Sequence, residues 1–474
     1  MTKDYRFYCA GEWRTSDNAV TVTNPYSQEP VGRTWMASAD DLEDAIAGAV
    51  SAFEETSTMP TYQRAEILFT LSNALKERAD EFTERLCAEA GKPINDARVE
   101  VDRGVFTLRL AAEEAQRIEG EQIPLDLMAS SRGRFGITRR VPAGPVAGIS
   151  PFNFPLNLAL HKIAPAIASG NSIVLKPPTY DPLTMLAFAE LVASTDLPPG
   201  AVSIMPMNRD VGDKLVCDDR FALLSFTGSP DVGWDMKSRA GKKKVVLELG
   251  GNAGVIIDRD ADLDFAVNRV LTGAFAYAGQ VCISVQRVYI HQDVFDDFAA
   301  RLVEAAQDVV MGDPSDPQTA LGPMIDEKAV KRVDEWVKAA ADSGDDILTG
   351  GSGEGRFYKP TVIANAPKQA AVCAREAFAP IVNIFPFSDW DAGLNEINDS
   401  VYGLQAGVFT NTLEHALKAF DRLVVGGVII NDIPTYRVDH MPYGGVKDSG
   451  LSREGLKYAI EDMTETRLMV FNRL

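Results

Sequence analysis

The sequence has little cysteine, little histidine and no long apolar run. Its 474 residues include only five cysteines, an odd number, and four histidines, and both types are scattered along the chain. This spacing predicts neither a disulfide framework nor a metal site, and lone thiols are typical of proteins in a reducing cytoplasm. The longest uncharged stretch, residues 141–160, contains four prolines and two asparagines, so it does not predict a membrane helix.

Positive charge is also scarce, because the formal net charge is −20 at pH 7. This balance argues against nucleic acid or an anionic membrane as a partner. An anionic small-molecule substrate would need a local positive pocket on so acidic a chain. The N-terminal residues Met1–Tyr5 are polar and lack the apolar core of a signal peptide, so we expect a cytoplasmic protein.

The chain of 474 residues is long enough for two or three domains with large cores, and its hydrophobic content of 46% is ordinary for a globular protein. Helical spacing of apolar residues predicts helices near the N-terminus, and an arginine-rich strand follows them. From Val146 onward strands and helices alternate, and a second alternating series runs from Val245 to about Ile430. Such alternation predicts an α/β protein with doubly wound parallel sheets. The predicted helices of the first part are Asp41–Phe53, Thr61–Ala90 (one helix or a pair) and Asp96–Ile118, the strand is Gly133–Val141, and the clearest later helices are Asp293–Met311 and Glu327–Ser343.

Three residues stand beside glycine or proline in contexts that suit catalysis of carbonyl chemistry. Cys282 follows the Gly279 turn, Glu248 precedes two glycines, and Asn153 lies between two phenylalanines and two prolines. A thiol, a carboxylate and a carboxamide are the groups needed to attack a carbonyl, activate a water and stabilise an oxyanion. Taken singly, each also has an ordinary interpretation: a buried small thiol, an outward glutamate on a strand, and a turn asparagine.

Seven segments in this order resemble those of the NAD(P)-dependent aldehyde dehydrogenase superfamily, and the chain is most similar to its lactaldehyde-dehydrogenase-like branch. The resemblance covers nearly the whole chain. The segments are Pro151–Pro155, Lys176–Pro178, Phe226–Ser229, Glu248–Gly251, Gly279–Cys282, Glu376–Pro380 and Pro442–Lys447.

The resemblance implies an aldehyde dehydrogenase-like fold with two doubly wound α/β domains and a small β oligomerisation domain. Residues 1–119 and 142–248 would form the dinucleotide-binding domain, and residues 249–460 the catalytic domain. Residues 120–141 and 461–474 would form the oligomerisation segments. A homodimer or homotetramer is expected.

The resemblance also implies four chemical steps. Cys282 attacks the aldehyde to give a thiohemiacetal, and Asn153 with the Cys282 backbone N–H holds the oxyanion. Hydride then passes to the nicotinamide of NAD or NADP and leaves a thioester. Glu248 finally activates the water that releases the acid. Two rival classes remain. A catalytically silent structural member of the fold would have lost one of these residues, and a CoA-acylating enzyme would lack Glu248.

No G-x-G-x-x-G motif follows the first strand, so the cofactor site depends on the resemblance. Ser229 and Pro230 suit the start of a helix whose free N–H groups could bind a pyrophosphate, although the same residues suit a plain strand-to-helix turn. Ala379 replaces the glycine that is usual in its motif. The implied cofactor-binding residues are Ser150, Pro151, Phe152, Lys176, Thr179, Phe226, Gly228, Ser229, Leu249, Gly250, Glu376 and Phe378.

Thr179 bears on the choice of cofactor. Strict NAD enzymes of the superfamily tend to carry a glutamate three residues after the strand-end lysine, here Lys176. A carboxylate would repel the 2′-phosphate of NADP, whereas threonine would not. We therefore expect NADP to be accepted, alongside NAD.

Four polar residues are candidates for binding the substrate: Arg103, Asn157, His161 and Arg437. Asn157 and His161 are four residues apart on one predicted helix and share a face. The predicted activity is oxidation of a short polar aldehyde, lactaldehyde-like, to its acid. The alternative substrate is an anionic aldehyde: phosphonoacetaldehyde, sulfolactaldehyde, glyceraldehyde 3-phosphate or succinate semialdehyde. Structural ion pairs are the competing interpretation of the arginines, Arg103 with Glu100 and Arg437 with Asp439 or another carboxylate.

Overall fold

The computed structural model describes residues 3–344 and 346–473. Met1 and Thr2 of the polar N-terminus and the last residue of the predicted C-terminal segment therefore lie outside the described residues. Two large sheets dominate the fold.

The first sheet has eight strands, of which the central five run parallel and are joined by helices. This arrangement confirms the doubly wound α/β prediction. The strand Lys244–Glu248 lies near one edge and carries Glu248 as its last residue. In spatial order the strands are Gly450–Leu451, Lys244–Glu248, Leu223–Thr227, Val146–Ile149, Ile173–Lys176, Val202–Ile204, Phe7–Cys9 and Glu12–Arg14.

The second sheet has seven strands, and only its first pair is antiparallel. It is built from the second alternating series, and a separate apolar core surrounds it. In spatial order its strands are Asp346–Thr349, Thr361–Ala364, Ile381–Phe387, Val285–His291, Ala253–Ile257, Gln405–Phe409 and Gly427–Ile430.

A third, three-stranded sheet contains the segments expected for oligomerisation. The strand Thr464–Asn472 pairs antiparallel with Arg134–Pro142 over nine residue pairs, and Gln122–Pro124 lies on the other side. Gly450–Leu451 belongs to the first sheet, so the chain returns to the first domain inside the 249–460 range. The division into three domains stays a proposal. Smaller sheets join Lys3–Asp4, Pro30–Trp35 and Ala19–Thr23, then Gly353–Glu354 with Phe357–Tyr358, and Tyr402–Gly403 with Val446–Lys447.

The helices follow the apolar spacing of the sequence and begin and end within a few residues of expectation. Thr61–Ala90 is a pair, interrupted at Arg78, whose φ of −103° is not helical. The helices are Ala39–Thr56, Thr61–Glu77, Ala79–Ala90, Ile94–Ala115, Asn157–Ser169, Leu183–Ala193, Arg209–Cys217, Pro230–Arg239, Leu263–Phe275, Phe295–Gln307, Glu327–Asp342, Ala371–Ala374, Trp390–Asn398, Leu413–Arg422 and Leu456–Asp462, with short 3₁₀ turns at Ala129–Ser131, Ala276–Gly279 and Gln292–Val294.

Two kinds of feature are absent from the described residues, a helix that could cross a membrane and a cluster of metal-binding side chains. None of the described helices combines the length and apolarity that a bilayer crossing requires. Residues 3–344 and 346–473 contain no group of three or more histidine, cysteine or acidic side chains arranged to hold a metal ion. All five cysteines are free thiols.

Candidate active site

The cysteine lies at the end of a loop with unusual backbone geometry. Tyr277, Ala278 and Gly279 have successive φ angles of 48°, 53° and 68°, a region that residues other than glycine rarely adopt. A Cβ atom on Gly279 would lie 2.1 Å from the carbonyl oxygen of Ala379. The loop therefore packs against a neighbouring loop as closely as glycine permits, and this contact fixes the half-buried Cys282. Ala379 itself has no positive φ, so the methyl group that replaces the usual glycine causes no backbone strain.

Asn153 follows the strand Val146–Ile149 of the first sheet and is joined directly to the cysteine loop. Its side-chain amide donates a hydrogen bond to the carbonyl oxygen of Gln280 at 2.9 Å, which leaves one amide hydrogen for another acceptor. The backbone carbonyl oxygen of Asn153 accepts a hydrogen bond from the ammonium group of Lys92 at 2.6 Å. Lys92 is fully buried and forms an ion pair with Glu100, whose carboxylate also accepts from the N–H groups of Leu156 and Asn157 at 3.0 and 3.1 Å. This network fixes the predicted oxyanion donor.

Glu248 ends its strand inside the protein. It is 3% exposed, and neither carboxyl oxygen has a hydrogen-bond partner in the described structure. A Cβ atom on Gly444 would lie 2.8 Å from one of these oxygens, so glycine makes room for the carboxyl group. Burial, together with the negative charge of Glu454, raises the pKa of Glu248 well above its usual value. The solvated glutamate of the ordinary interpretation is thus wrong, and the group has the perturbed pKa of a general base.

The sulfur of Cys282 lies 3.0 Å from the hydroxyl oxygen of Tyr443. Burial raises the pKa of the Cys282 thiol to about 11, while this hydrogen bond and the positive charge of Arg437 oppose the rise. Tyr443 belongs to one of the motif segments of the sequence, but no role was predicted for it. The only signal available was its place in the Pro442–Lys447 segment.

Three buried charged groups, Glu454, Arg437 and Lys162, act on Glu248 through their charge. Arg437 donates to Glu454 at 2.7 Å, and Lys162 lies 3.5 Å from the same carboxylate and donates to the hydroxyl of Thr227 at 2.7 Å. Despite burial, the charges of Lys162 and Arg437 lower the pKa of Glu454 to about 2, whereas burial lowers that of Lys162. Neither Lys162 nor Glu454 was a candidate from the sequence.

Three of the four predicted substrate residues converge on one carboxylate. Asp439 is 3% exposed and accepts from Arg103 at 2.6 and 3.2 Å, from the amide of Asn157 at 3.1 Å, and lies 2.9 Å from His161. Although burial opposes the shift, His161 and Arg103 hold the pKa of Asp439 far below its usual range. The fourth candidate, Arg437, pairs with Glu454 instead. Glu100 is therefore wrong as the partner of Arg103, and Asp439 as that of Arg437, whereas the alternative of another carboxylate for Arg437 is met by the buried Glu454.

Three of the predicted cofactor residues line a cleft at the carboxyl ends of strands of the first sheet. A cavity of about 250 Å³ is lined by Lys176, Thr179, Phe226 and, unexpectedly, the exposed Arg209. Burial lowers the pKa of Lys176 to about 8. Arg209 begins a helix and has no ion-pair partner among the described residues. It was missed because a lone arginine after an asparagine carries no pattern.

The helix Pro230–Arg239 starts beside this cavity. Ser229 is its N-cap residue and Pro230 its first residue, as expected, but the Ser229 hydroxyl makes no capping hydrogen bond. The hydroxyl and the first helical N–H groups are therefore available to a phosphate. A Cβ atom on Gly233 would lie 2.4 Å from Leu249, so this glycine lets the helix pack against the Glu248 loop.

The remaining cofactor candidates lie between the cavity and the cysteine. One carboxylate oxygen of Glu376 accepts from the N–H of Gly251 at 3.0 Å, and burial raises the Glu376 pKa to about 7 against the effect of this hydrogen bond. A Cβ atom on Gly250 would lie 2.3 Å from the same carboxylate. The rings of Phe152 and Phe378 meet edge to face at 5.7 Å.

The two residues that precede Phe152 complete the loop. Ser150 is buried, its hydroxyl has no hydrogen-bond partner among the described residues, and Pro151 follows it. Unpaired polar atoms here and at Ser229, with the open cavity, fit a dinucleotide.

Comparison with known proteins gives a family and several relatives. Residues 13–469 match the aldehyde dehydrogenase family. The chain is 45% identical to a 3-sulfolactaldehyde dehydrogenase of Priestia megaterium over 473 residues, which cover 100% of this chain and 99% of the relative. It is 37% identical to a lactaldehyde dehydrogenase of Methanocaldococcus jannaschii over 468 residues, 98% of this chain and 99% of that one.

Solved structures agree with these relatives. Aldehyde dehydrogenase 21 of Physcomitrella patens, in complex with the reaction product succinate, has a TM-score of 0.98 and 45% identity, with 100% of this chain and 99% of that chain covered. A glyceraldehyde-3-phosphate dehydrogenase of Methanocaldococcus jannaschii, complexed with NADP, has a TM-score of 0.92 and 38% identity, with 97% and 100% covered.

Proposed function

Because the chain belongs to the aldehyde dehydrogenase family, we propose that it oxidises a short aldehyde carrying a hydroxyl or an anionic group to the carboxylic acid. Its class is NAD(P)-dependent aldehyde dehydrogenase, an oxidoreductase. Named relatives act on lactaldehyde and 3-sulfolactaldehyde, and a structural relative binds succinate. The observation that carries the proposal for this chain is the meeting of Cys282, Asn153 and Glu248 at one site.

The three residues have distinct proposed roles. The Cys282 sulfur bonds to the aldehyde carbon, and the resulting oxyanion accepts the free amide hydrogen of Asn153 and the Cys282 N–H. When NAD or NADP is bound, its nicotinamide accepts the hydride of the former aldehyde carbon. Glu248, with no hydrogen-bond partner to hold it, takes a proton from the water that attacks the thioester, and Cys282 leaves as the thiolate.

Release by water separates this proposal from two rivals. Glu248 supports hydrolysis to the free acid rather than transfer of the acyl group to CoA. A silent structural member is disfavoured because all three side chains are present, Asn153 is hydrogen-bonded to the cysteine loop, and the charge of Glu248 acts on Cys282. Formation of reduced cofactor from an aldehyde without CoA tests both points, since the CoA-acylating rival needs the thiol and the silent rival forms no product.

Arg437 supports a polar or anionic substrate. Its guanidinium stacks on the Tyr443 ring at 3.8 Å from the ring centre, and the Tyr443 hydroxyl touches the Cys282 sulfur. Only one of its five N–H donors is bonded to Glu454 in the described structure, and its buried Nε has no partner. A substrate held at Cys282 would thus reach spare cationic donors within about the length of one ring, which suits a short chain with a terminal anion or hydroxyl.

Arg103, Asn157 and His161 are proposed to shape, through Asp439, a polar tunnel by which the substrate reaches Cys282. Because their polar groups bind Asp439, the free charge that they offer a substrate is small. We therefore assign the contact with the polar end of the substrate to Arg437, and a shaping role to the other three.

The test is a substrate panel with two variants. Wild type is expected to prefer lactaldehyde, 3-sulfolactaldehyde or succinate semialdehyde over hexanal, and Arg437→Leu is expected to raise KM for the polar aldehydes and improve hexanal. Arg437→Lys keeps the charge and should lie between them, which separates loss of the cation from loss of packing. A wild-type preference for hexanal would contradict the polar-tunnel proposal.

NADP is proposed as an accepted cofactor beside NAD. Lys176, Thr179 and Arg209 line one cavity without a carboxylate at position 179, and the two cations suit a 2′-phosphate. Asp213 and Asp235 also line it, but both are paired with Arg239. The proposed holders of the rest of the cofactor are Ser150–Phe152, Gly228, Ser229, Leu249, Gly250, Glu376 and Phe378.

Two further features support a homo-oligomer in the cytoplasm. The helix Leu413–Arg422 exposes Leu413 and Phe420 at 73% and 68%, and the strand Thr464–Asn472 exposes most of its side chains. Contiguous apolar faces of this kind mark association surfaces. Five free thiols agree with a reducing compartment. Light scattering would distinguish a dimer from a tetramer, and a monomer would contradict the proposal.

A further inference from the structure

The hydroxyl of Tyr443 is the feature of the site that the proposed mechanism leaves unused. It lies 3.0 Å from the Cys282 sulfur, and Tyr443 is 3% exposed. Within the described ranges, 3–344 and 346–473, no other group is hydrogen-bonded to that sulfur. A tyrosine whose only role was to fill space would not need a hydroxyl directed at the nucleophile.

The position of the phenol is fixed from several sides. The Tyr443 N–H donates to the Glu454 carbonyl at 3.0 Å, and the Glu454 N–H donates to the Tyr443 carbonyl at 2.6 Å. The ring packs with Ile283 and Leu404 in a small apolar cluster, and Arg437 covers it at 3.8 Å. The hydroxyl therefore meets the sulfur with little freedom to turn away.

The direction of the hydrogen bond follows from the chemistry. A thiolate can only accept a hydrogen bond, so in the reactive state the phenol must be the donor. Burial, then the nearby charge of Cys282, raises the pKa of Tyr443 well above its usual value, which keeps the phenol protonated. The guanidinium over the ring draws on its electron density and makes the O–H a better donor.

We propose that Tyr443 is a further catalytic residue, whose O–H donates to the Cys282 sulfur, stabilises the thiolate and fixes its position before it attacks the aldehyde. This inference rests on the proposed nucleophilic role of Cys282. The charged or titratable groups that act on the thiol besides Tyr443 are Arg437, Glu376 and Glu248, and none of them changes in the first test below.

The first test is the pH dependence of Cys282 alkylation by iodoacetamide in Tyr443→Phe. This variant keeps the ring and removes only the hydroxyl. The midpoint of the alkylation rate is expected to rise by about one pH unit, a tenfold loss of thiolate at a given pH, as one charge-assisted hydrogen bond would cause. Modification is followed by mass spectrometry of the Cys282 peptide, because Cys217 is also exposed.

Tyr358→Phe is the matched control. Tyr358 is fully buried, and its hydroxyl has no hydrogen-bond partner among the described residues, so its loss should leave the Cys282 midpoint unchanged. A Tyr443→Phe profile that superimposes on wild type would overturn the proposal, as would an equal shift in the control.

A second variant reverses the expected sign and covers the case in which Tyr443→Phe fails to fold. Incorporation of 3-fluorotyrosine at position 443 keeps the shape of the ring but gives a more acidic, stronger donor. The alkylation midpoint should then fall below that of wild type, and a midpoint at or above it would refute the role of the hydroxyl. Since no aldehyde is used, the outcome is independent of whether the proposed substrate class is right.

Discussion

Replacing Glu248 by glutamine tests the proposed base most directly, because the change removes a charge and little else. Both oxygens of Glu248 lack hydrogen-bond partners among the described residues, so no hydrogen bond is lost. Because glutamine also lacks the raised pKa that costs wild type stability as pH rises, the free energy of unfolding at neutral pH should be equal to or above that of wild type. General bases contribute about 100- to 10,000-fold to a rate, and we expect deacylation to slow by that amount.

The assay follows reduced cofactor in rapid mixing with an excess of aldehyde. Acylation of Cys282 does not need an activated water, so Glu248→Gln should give a burst stoichiometric with active sites and then a slow steady state. The burst serves as the internal control for folding and for cofactor binding. If both phases slow equally, the reasoning fails, and Glu248 acts on the thiol instead of on the water.

The pH dependence of the same reaction carries a second check. A base must be deprotonated, and the pKa of Glu248 is raised by burial and by Glu454, so wild-type deacylation should rise with pH through a value well above the usual 4.5. The free energy of unfolding depends on pH in the opposite direction to the deacylation rate. A carboxyl group with a raised folded-state pKa stabilises the fold at low pH, and that contribution is lost as pH rises above its unfolded value, about 4.3. The variant should show neither trend.

The remaining predictions concern the nucleophile and the cofactor. Cys282→Ala should abolish oxidation while circular dichroism and binding of reduced cofactor, followed by fluorescence, stay unchanged, and substantial residual turnover would exclude the covalent mechanism. Arg209→Gln should raise KM for NADP about tenfold, the effect of losing one charged contact, and leave KM for NAD unchanged; equal effects on both cofactors would place Arg209 away from the 2′-phosphate. Because burial lowers the pKa of Lys176 to about 8, KM for NADP should rise above that pH more than KM for NAD, and parallel profiles would contradict a role for its charge.

The main elements of the fold and the proposed catalytic residues could be predicted because each depends on local sequence. The alternation of strands and helices sets the two large sheets. Gly279 shows why a short motif carries information, because a Cβ atom on this residue would lie 2.1 Å from the carbonyl oxygen of Ala379. A pattern of this kind can be read without knowing the partner. The break at Arg78 could not, because both halves of Thr61–Ala90 have helical spacing and only packing separates them.

The partners of the buried charges were not predictable for the opposite reason. Asp439 accepts from side chains 278 to 336 positions away, and no local pattern specifies which arginine it meets. Glu248 was ambiguous because strand alternation alone assigns it to an outer face, whereas the strand end turns into the space between two domains. Tyr443 and Arg209 went unrecognised because the contact of Tyr443 with the Cys282 sulfur and the position of Arg209 at the cavity arise only in the folded chain.

The pairing of Asp439 with Arg103 rather than with Arg437 alters the view of the substrate tunnel. Had Arg437 paired with Asp439, Glu454 would lie beside Glu248 with only Lys162 at 3.5 Å to balance two buried carboxylates. Instead Arg437 neutralises Glu454 and Arg103 neutralises Asp439, so Glu248 is left as the one carboxyl of this group without an ion-pair or hydrogen-bond partner in the described structure. A partnered carboxylate has its pKa lowered, as Glu454 shows, and would be a weak base. The arrangement therefore leaves basicity to Glu248, while the cation that keeps Glu454 ionised also covers the Tyr443 ring next to the nucleophile.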